Sequence, residues 1–165
     1  MRFSDFKGRP VVSVTDARRL GFVDTLMLDR ATQQILGLRI RQGGLISHHD
    51  FLLLRDVRSV GGDAVTVDDP SNVNEQSKFP ELEGCADLGS VLGGRVLKED
   101  GHLLGSVSDV EIAGDASAIT GYMIGMNLLE RLRRHEEHVI PATEVKSLGD
   151  SLVVVSNAVK VDGAG

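Results

Sequence analysis

Aromatic side chains are scarce in this chain: it has no tryptophan and one tyrosine, and Phe, Trp and Tyr together make 4% of its 165 residues. A surface that stacks nucleic-acid bases needs exposed rings, so a base-stacking platform is not expected. The core must be aliphatic, built from Val, Leu and Ile. Cysteine is nearly absent as well. Cys85 stands alone, which excludes an internal disulfide, and it reads as an ordinary thiol between two folded segments. No window approaches the roughly 18 consecutive apolar residues of a membrane span. The start, Met1-Arg2-Phe3-Ser4-Asp5-Phe6, lacks the apolar centre of a signal peptide. A cytoplasmic location without direct membrane insertion is the expectation. Positive charge is not in excess: 18 Lys and Arg face 24 Asp and Glu, a formal net charge of -6. That field repels phosphate backbones and anionic lipid, so nucleic acid is expected only through a local basic patch or a ribosomal partner.

What is present is a folding composition, 41% hydrophobic and 25% charged, and an internal repeat. Leu20-Gly21-Phe22-Val23 lies over Leu104-Gly105-Ser106-Val107, 84 residues further on. The same offset carries Val12 onto Val96, Asp16 onto Asp100, Ile35 onto Ile119, Gly37 onto Gly121 and Ile40 onto Ile124. After a small insertion the match resumes at an offset of 88, with Val57 over Val145, Ser59 over Ser147, Gly61 over Gly149, Val65 over Val153 and Val67 over Val155. Three glycines aligned at two consistent offsets, each at a strand edge, mark a duplication. The copies span residues 1–69 and 84–157, with a polar, proline-bounded linker at 70–83 and a flexible tail at 158–165.

Each copy reads as five or six short strands. In the first they are Val11–Val14, Phe22–Leu28, residues 34–41, Val57–Val60 and Ala64–Val67, with Gly61-Gly62-Asp63 as a tight hairpin turn. In residues 34–41, alternation puts Leu36, Leu38 and Ile40 on one face and Gly37, Arg39 and Arg41 on the other. The second copy has strands at 95–98, 104–112, 117–126, 138–140, 145–148 and 151–155. The fold class is therefore all-β, two tandem small barrels of about six strands each. Side chains fill so small a barrel, so activity belongs on the outer surface or at the seam between copies. The second copy also carries Asn127 to His138, where Asn127 and Glu130 fit a capping box and Leu128, Leu129 and Leu132 share one helical face. This predicts a short amphipathic helix that the first copy lacks.

These residues resemble the PRC-barrel family. In the first copy the marks are Gly8-Arg9-Pro10-Val11-Val12, Gly21-Phe22-Val23-Asp24, Gly37-Leu38-Arg39-Ile40, Phe51 to Val57 and Gly61-Gly62-Asp63-Ala64-Val65. In the second they are Gly94-Arg95-Val96, Asp100-Gly101, Gly121-Tyr122 and Val139-Ile140-Pro141-Ala142-Thr143-Glu144-Val145. The resemblance implies a six-stranded barrel with a helical turn before the fifth strand, at Leu54-Arg55-Asp56 and Ala142-Thr143-Glu144. The family includes the cytoplasmic domain of the photosynthetic reaction-centre H subunit and the C-terminal domain of a ribosome-maturation factor. Protein contact is what its members share. Neither the membrane helix of the first nor the extra N-terminal domain of the second is found in these 165 residues, so neither specific role is expected here.

No catalytic set accompanies the repeat. His48-His49-Asp50, and His135 with His138, lack the further ligands of a metal site, and read as surface histidines. Asp24, Asp29, Asp109 and Asp115 read as solvated strand and turn residues, and Gly43-Gly44 and Gly93-Gly94 as turns rather than phosphate loops. The candidate partner-binding residues are Arg39 and Arg41 on the outer face of the third strand, Met123 at the position of Arg39 in the second copy, and Leu128, Leu129, Leu132, Arg131 and Arg134 in the predicted helix. An apolar Met123 at an outward position points to a buried seam, and a single exposed methionine is the alternative. The expected function is a non-enzymatic interaction, scaffolding or regulatory module without a cofactor, whose partner is another protein or a second copy. A ribosome- or RNA-associated maturation factor using Arg131 and Arg134 is the alternative, and a metal- or ligand-responsive regulator using His135 and His138 is a third.

Overall fold

The computed structural model describes residues 1–125 and 138–161. They form two barrel-like units of the same topology. The first contains β1 (Pro10–Ser13), β2 (Arg18–Leu28), β3 (Ile35–Gln42), β4 (His48–Leu53), β5 (Val57–Val60) and β6 (Val65–Val67). Its strand order is β4-β3-β2-β1-β6-β5, and the two-residue strand β7 (Ala86–Asp87) is added against β2. The second contains β8 (Arg95–Lys98), β9 (Leu103–Ile112), β10 (Ile119–Gly125), β11 (His138–Pro141), β12 (Val145–Leu148) and β13 (Leu152–Val155). Its order, β11-β10-β9-β8-β13-β12, repeats that of the first. In each sheet the first and last strands pair in parallel, β1 with β6 and β8 with β13, and the other pairs are antiparallel. A 3-10 turn, Leu54–Asp56 or Ala142–Glu144, carries the chain from one edge strand to the other, at the two places the family resemblance implies.

Bulges let such short sheets curl. The pairing of β2 with β3 shifts between Val23 and Thr25 and again between Met27 and Leu28. A bulge adds one unpaired residue and re-aims its neighbours. Leu38 and Ile40 accordingly enter the barrel core, but Leu36, opposite the second shift, does not follow the expected alternation. It packs outside, in a separate cluster with Met27, Phe51, Leu53, Phe79 and Leu82. Gly21 and Gly105 occupy the same place in the two units, at φ of 148° and 150°. A Cβ at Gly21 would lie 2.7 Å from the Arg41 carbonyl oxygen, and one at Gly105 2.8 Å from that of Gly125. Only glycine lets these strands cross so closely.

The two units are related by an approximate two-fold axis, and the chain crosses it repeatedly. Gln34 bridges Ala118, the Ile35 N–H donates to the Ser117 carbonyl at 2.9 Å, and the Ile119 N–H donates to the Gln33 carbonyl at 3.0 Å. The offset of 84 carries each of these bonds onto the other. The segments ahead of the units are exchanged as well. A helical turn, α1 (Phe3–Phe6), precedes the first unit but packs on β9 of the second, with Arg2 bridging Glu111. The segment Ala86–Val91 precedes the second unit but packs on β2 of the first, with Asp87 opposite Met27.

Polar groups pin both crossings. Asp109, 8% exposed, accepts from the Ser4 N–H and hydroxyl at 3.2 and 2.5 Å and from the Val110 N–H at 2.8 Å. At the matching place in the first unit the sheet supplies the hydroxyl and the crossing segment the carboxylate. Thr25 donates to Asp87 at 2.5 Å, and the Gly89 N–H donates to both. Phe3 and Phe6 join Val107, Val110, Leu88 and Val91 in one hydrophobic core that runs through both units. A barrel of about 70 residues buries only about 60% of its chain surface alone, and a shared core answers that deficit.

Residues 70–83, read in the sequence as a linker, lie on the first unit as a series of 3-10 turns. Asn74 bridges Phe51, and Phe79 and Leu82 cap the outer cluster around Met27. Beyond Asn157, Val159 and Val161 are at least partly buried. The helix expected over Asn127 to His138 lies outside the described residues up to residue 137, and His138 begins β11.

Candidate interaction surface

On one side of the seam the loops of the two units carry different side chains. The β2–β3 loop of the first unit reaches the second with two long side chains. The Gln33 amide donates to the Ala142 carbonyl at 3.0 Å, and its oxygen accepts from the Tyr122 hydroxyl at 2.6 Å. Arg30 forms an ion pair with Asp150 beside it. Burial pushes the Tyr122 phenol well above its ordinary range. The edge of the second barrel, between its 3-10 turn and β12, is therefore plugged from within the chain.

The β9–β10 loop reaches the first unit in the same way but brings short side chains. The offset of 84 places Gly114 at the position of Arg30 and Ser117 at that of Gln33. The corresponding edge of the first barrel holds an open groove of about 620 Å³. Leu36, Leu53, Leu54 and Val57 line its apolar wall, and Asp115 and Ser117 line its lip. The Leu54 carbonyl accepts the Val57 N–H, as the Ala142 carbonyl accepts the Val145 N–H. No side chain among the described residues donates to it, whereas Ala142 takes Gln33.

Charge around this groove is unevenly satisfied. Arg55 pairs with Glu81 at 2.8 Å and Arg58 with Asp68 at 2.6 Å. Asp115 has no ion pair among the described residues. Its carboxylate accepts the Ser117 hydroxyl at 2.6 Å and N–H at 3.0 Å, bonds that hold it below the usual carboxylate range, hydroxyl foremost. The groove thus presents an apolar wall, one carbonyl with a lone pair to offer and one ionised carboxylate.

The candidate partner-binding residues that are described, Arg39, Arg41 and Met123, lie elsewhere. Arg39 stands on the outer face of β3, where its guanidinium pairs with Asp24 at 2.6 Å and Asp87 at 3.0 Å. It ties the crossing strand β7 to the sheet. Arg41, near the end of β3, is exposed. Met123 is 2% exposed, covered rather than presented to solvent. Leu128, Leu129, Leu132, Arg131 and Arg134 lie outside the described residues, as does His135. His48 contacts Asp50 at 2.9 Å, and His49 lies 3.7 Å from Asp24. Among the described residues no group of three His, Cys, Asp or Glu side chains is placed to hold a metal ion, and no helix is long and apolar enough to cross a membrane.

The groove was missed because its walls combine a turn and strand ends with Asp115 and Ser117 from the other copy, which are distant in sequence. A signal was present in the repeat, since the offset of 84 sets the long side chains Arg30, Gln33 and Gln34 over Gly114, Ser117 and Ala118. Compared with known families, residues 1–73 match the PRC-barrel domain. No curated protein matches the chain.

Proposed function

We propose, from the premise that residues 1–73 are a PRC-barrel domain and that a second unit repeats its topology, that this chain is a non-enzymatic interaction module. One observation carries this reading: both barrels are solid. Leu26, Leu38, Ile40 and Leu52 fill the first, and Val96, Val110, Tyr122 and Ile140 fill the second, all in one continuous core. With these described side chains filling the barrels, recognition is assigned to their outside, to the seam and to the segment with Leu128, Leu129 and Leu132. The fused two-fold core already supplies the pairing a homodimer of single barrels would need, so the module works as one chain in the cytoplasm, with a different protein as partner.

The test is affinity capture on the immobilised full chain from a lysate of its own cells, with mass spectrometry and a salt series. A Leu128→Glu/Leu132→Glu variant and an Arg41→Glu variant run alongside. The expected result is a reproducible protein set retained by the wild type and depleted by at least one variant. Nothing retained at any salt concentration, by protein shown to be folded, overturns the reading. Retention of RNA lost steeply with salt replaces it with the RNA-associated alternative.

A further inference from the structure

We propose that the groove between the Leu54 turn and the Asp115–Ser117 loop is a recognition site for an arginine-bearing loop of a protein partner. The proposal rests on the interaction-module reading and deepens it by naming the occupant. Its ground is the molecule's own symmetry, since the equivalent site on the second barrel is occupied and its occupant is visible. There a loop crosses the edge of the barrel, inserts a long side chain that donates to the carbonyl of the 3-10 turn, and places a guanidinium on a nearby carboxylate. The first barrel keeps the same turn and the same carbonyl, and its wall is more apolar, with Leu36 and Leu53 where the second has Thr120 and Pro141, but the loop that crosses it lacks both long side chains.

The open groove states what fits. Its apolar wall of Leu36, Leu53 and Val57 accepts the methylene stem of a long side chain. The Leu54 carbonyl asks for a donor. Asp115, ionised and without a cation among the described residues, asks for positive charge at the lip. An arginine meets all three, because its planar guanidinium carries five donors and can serve a carbonyl and a carboxylate together. Lysine offers charge without the fork, and glutamine a donor without the charge. A second copy of this chain cannot supply its β2–β3 loop, because Arg30 and Gln33 are engaged within their own molecule.

The probe is a cyclic peptide of residues 28–35, Leu-Asp-Arg-Ala-Thr-Gln-Gln-Ile, beside versions with arginine replaced by alanine or by lysine. Binding to the full isotope-labelled chain is followed by amide chemical shifts. The expected result is saturable shifts clustered at Leu54, Val57 and Ser117, weakened about tenfold or more without the arginine and partly kept with lysine. Asp115→Arg, a surface change that leaves the thermal transition in place, should abolish them. Shifts that are absent at millimolar peptide, fall elsewhere, or survive Asp115→Arg overturn the proposal. The Asp115→Arg variant is also run in the lysate capture. A partner set retained equally by wild type and variant rejects the groove while the module reading stands. A set lost with the variant, together with arginine-dependent peptide shifts at Leu54, Val57 and Ser117, supports both, and no set at all removes the module reading whatever the peptide does.

Discussion

The two edges of the seam share one backbone topology and carry different side chains. On the second barrel Gln33 and Arg30 close the edge from within, and the Tyr122 hydroxyl adds a third polar contact. On the first barrel Ser117 and Gly114 stand in those places, Leu38 replaces Tyr122, and the edge is open. A homodimer cannot do this, because every change in one protomer appears in both. Joining two copies in one chain frees each position from its twin. The plugged edge fastens the halves together, which releases the open edge from that duty.

The crossing segments offer the contrast in which the halves remain alike, and it carries the largest expected effect. Phe3 in α1 and Leu88 in the opposite crossing are fully buried in the same core, each on the other unit's sheet. Phe3→Ala should cost about 3–5 kcal/mol and Leu88→Ala about 2–5 kcal/mol, set by the cavity each leaves. Because the core is continuous, each variant should shift one cooperative unfolding transition rather than split it. Denaturant unfolding followed by circular dichroism checks this. Two resolved transitions, with only the second unit destabilised by Phe3→Ala, would show that the units fold separately.

The seam loops should respond unequally. Gln33→Ala removes two hydrogen bonds and leaves the buried Tyr122 hydroxyl without its acceptor, a loss of about 1–3 kcal/mol. Ser117→Ala removes only the exposed contact with Asp115 and should stay within about 0.5 kcal/mol. Equal effects, read from the same unfolding curves, would mean that the plug contributes nothing and that the asymmetry lies only in side-chain length.

Much of this was legible in the sequence, and what was not has a common cause. The duplication, the topology-setting glycines Gly21 and Gly105, and most strand positions follow from local pattern, because turns and alternation are local physics. Leu36 was misplaced because a bulge leaves no fixed mark on the apolar pattern. The exchange of Phe3 and Leu88 between units was hidden for a different reason. Apolar residues ahead of a strand satisfy the pattern whichever sheet they cover, and only the three-dimensional two-fold decides. Arg39 was legible as an outward residue, yet not as one spent on Asp24 and Asp87, since Asp87 comes from the other side of the duplication. The open groove combines both difficulties, and becomes visible only when the loops are compared across the axis.

A modest effect at neutral pH gives the most specific readout of the plugged edge. Tyr122 is the chain's one tyrosine, and there is no tryptophan, so phenolate absorbance reports this residue alone. Tyr122→Phe keeps the ring and removes the hydroxyl, a loss of about 1 kcal/mol at neutral pH. Alkaline pH amplifies the difference. In the unfolded chain the phenol titrates near its ordinary value of 10.0, whereas burial pushes it higher in the folded protein. The folded state therefore holds its proton longer. The stability that rests on this is complete below the unfolded value and declines as pH rises toward the folded one. Absorbance titration should place the native transition well above that in urea, coincident with unfolding, and Tyr122→Phe should flatten the decline in stability over the same range. A native phenol that titrates at the unfolded value would show that solvent reaches this edge as freely as it reaches the open groove across the axis.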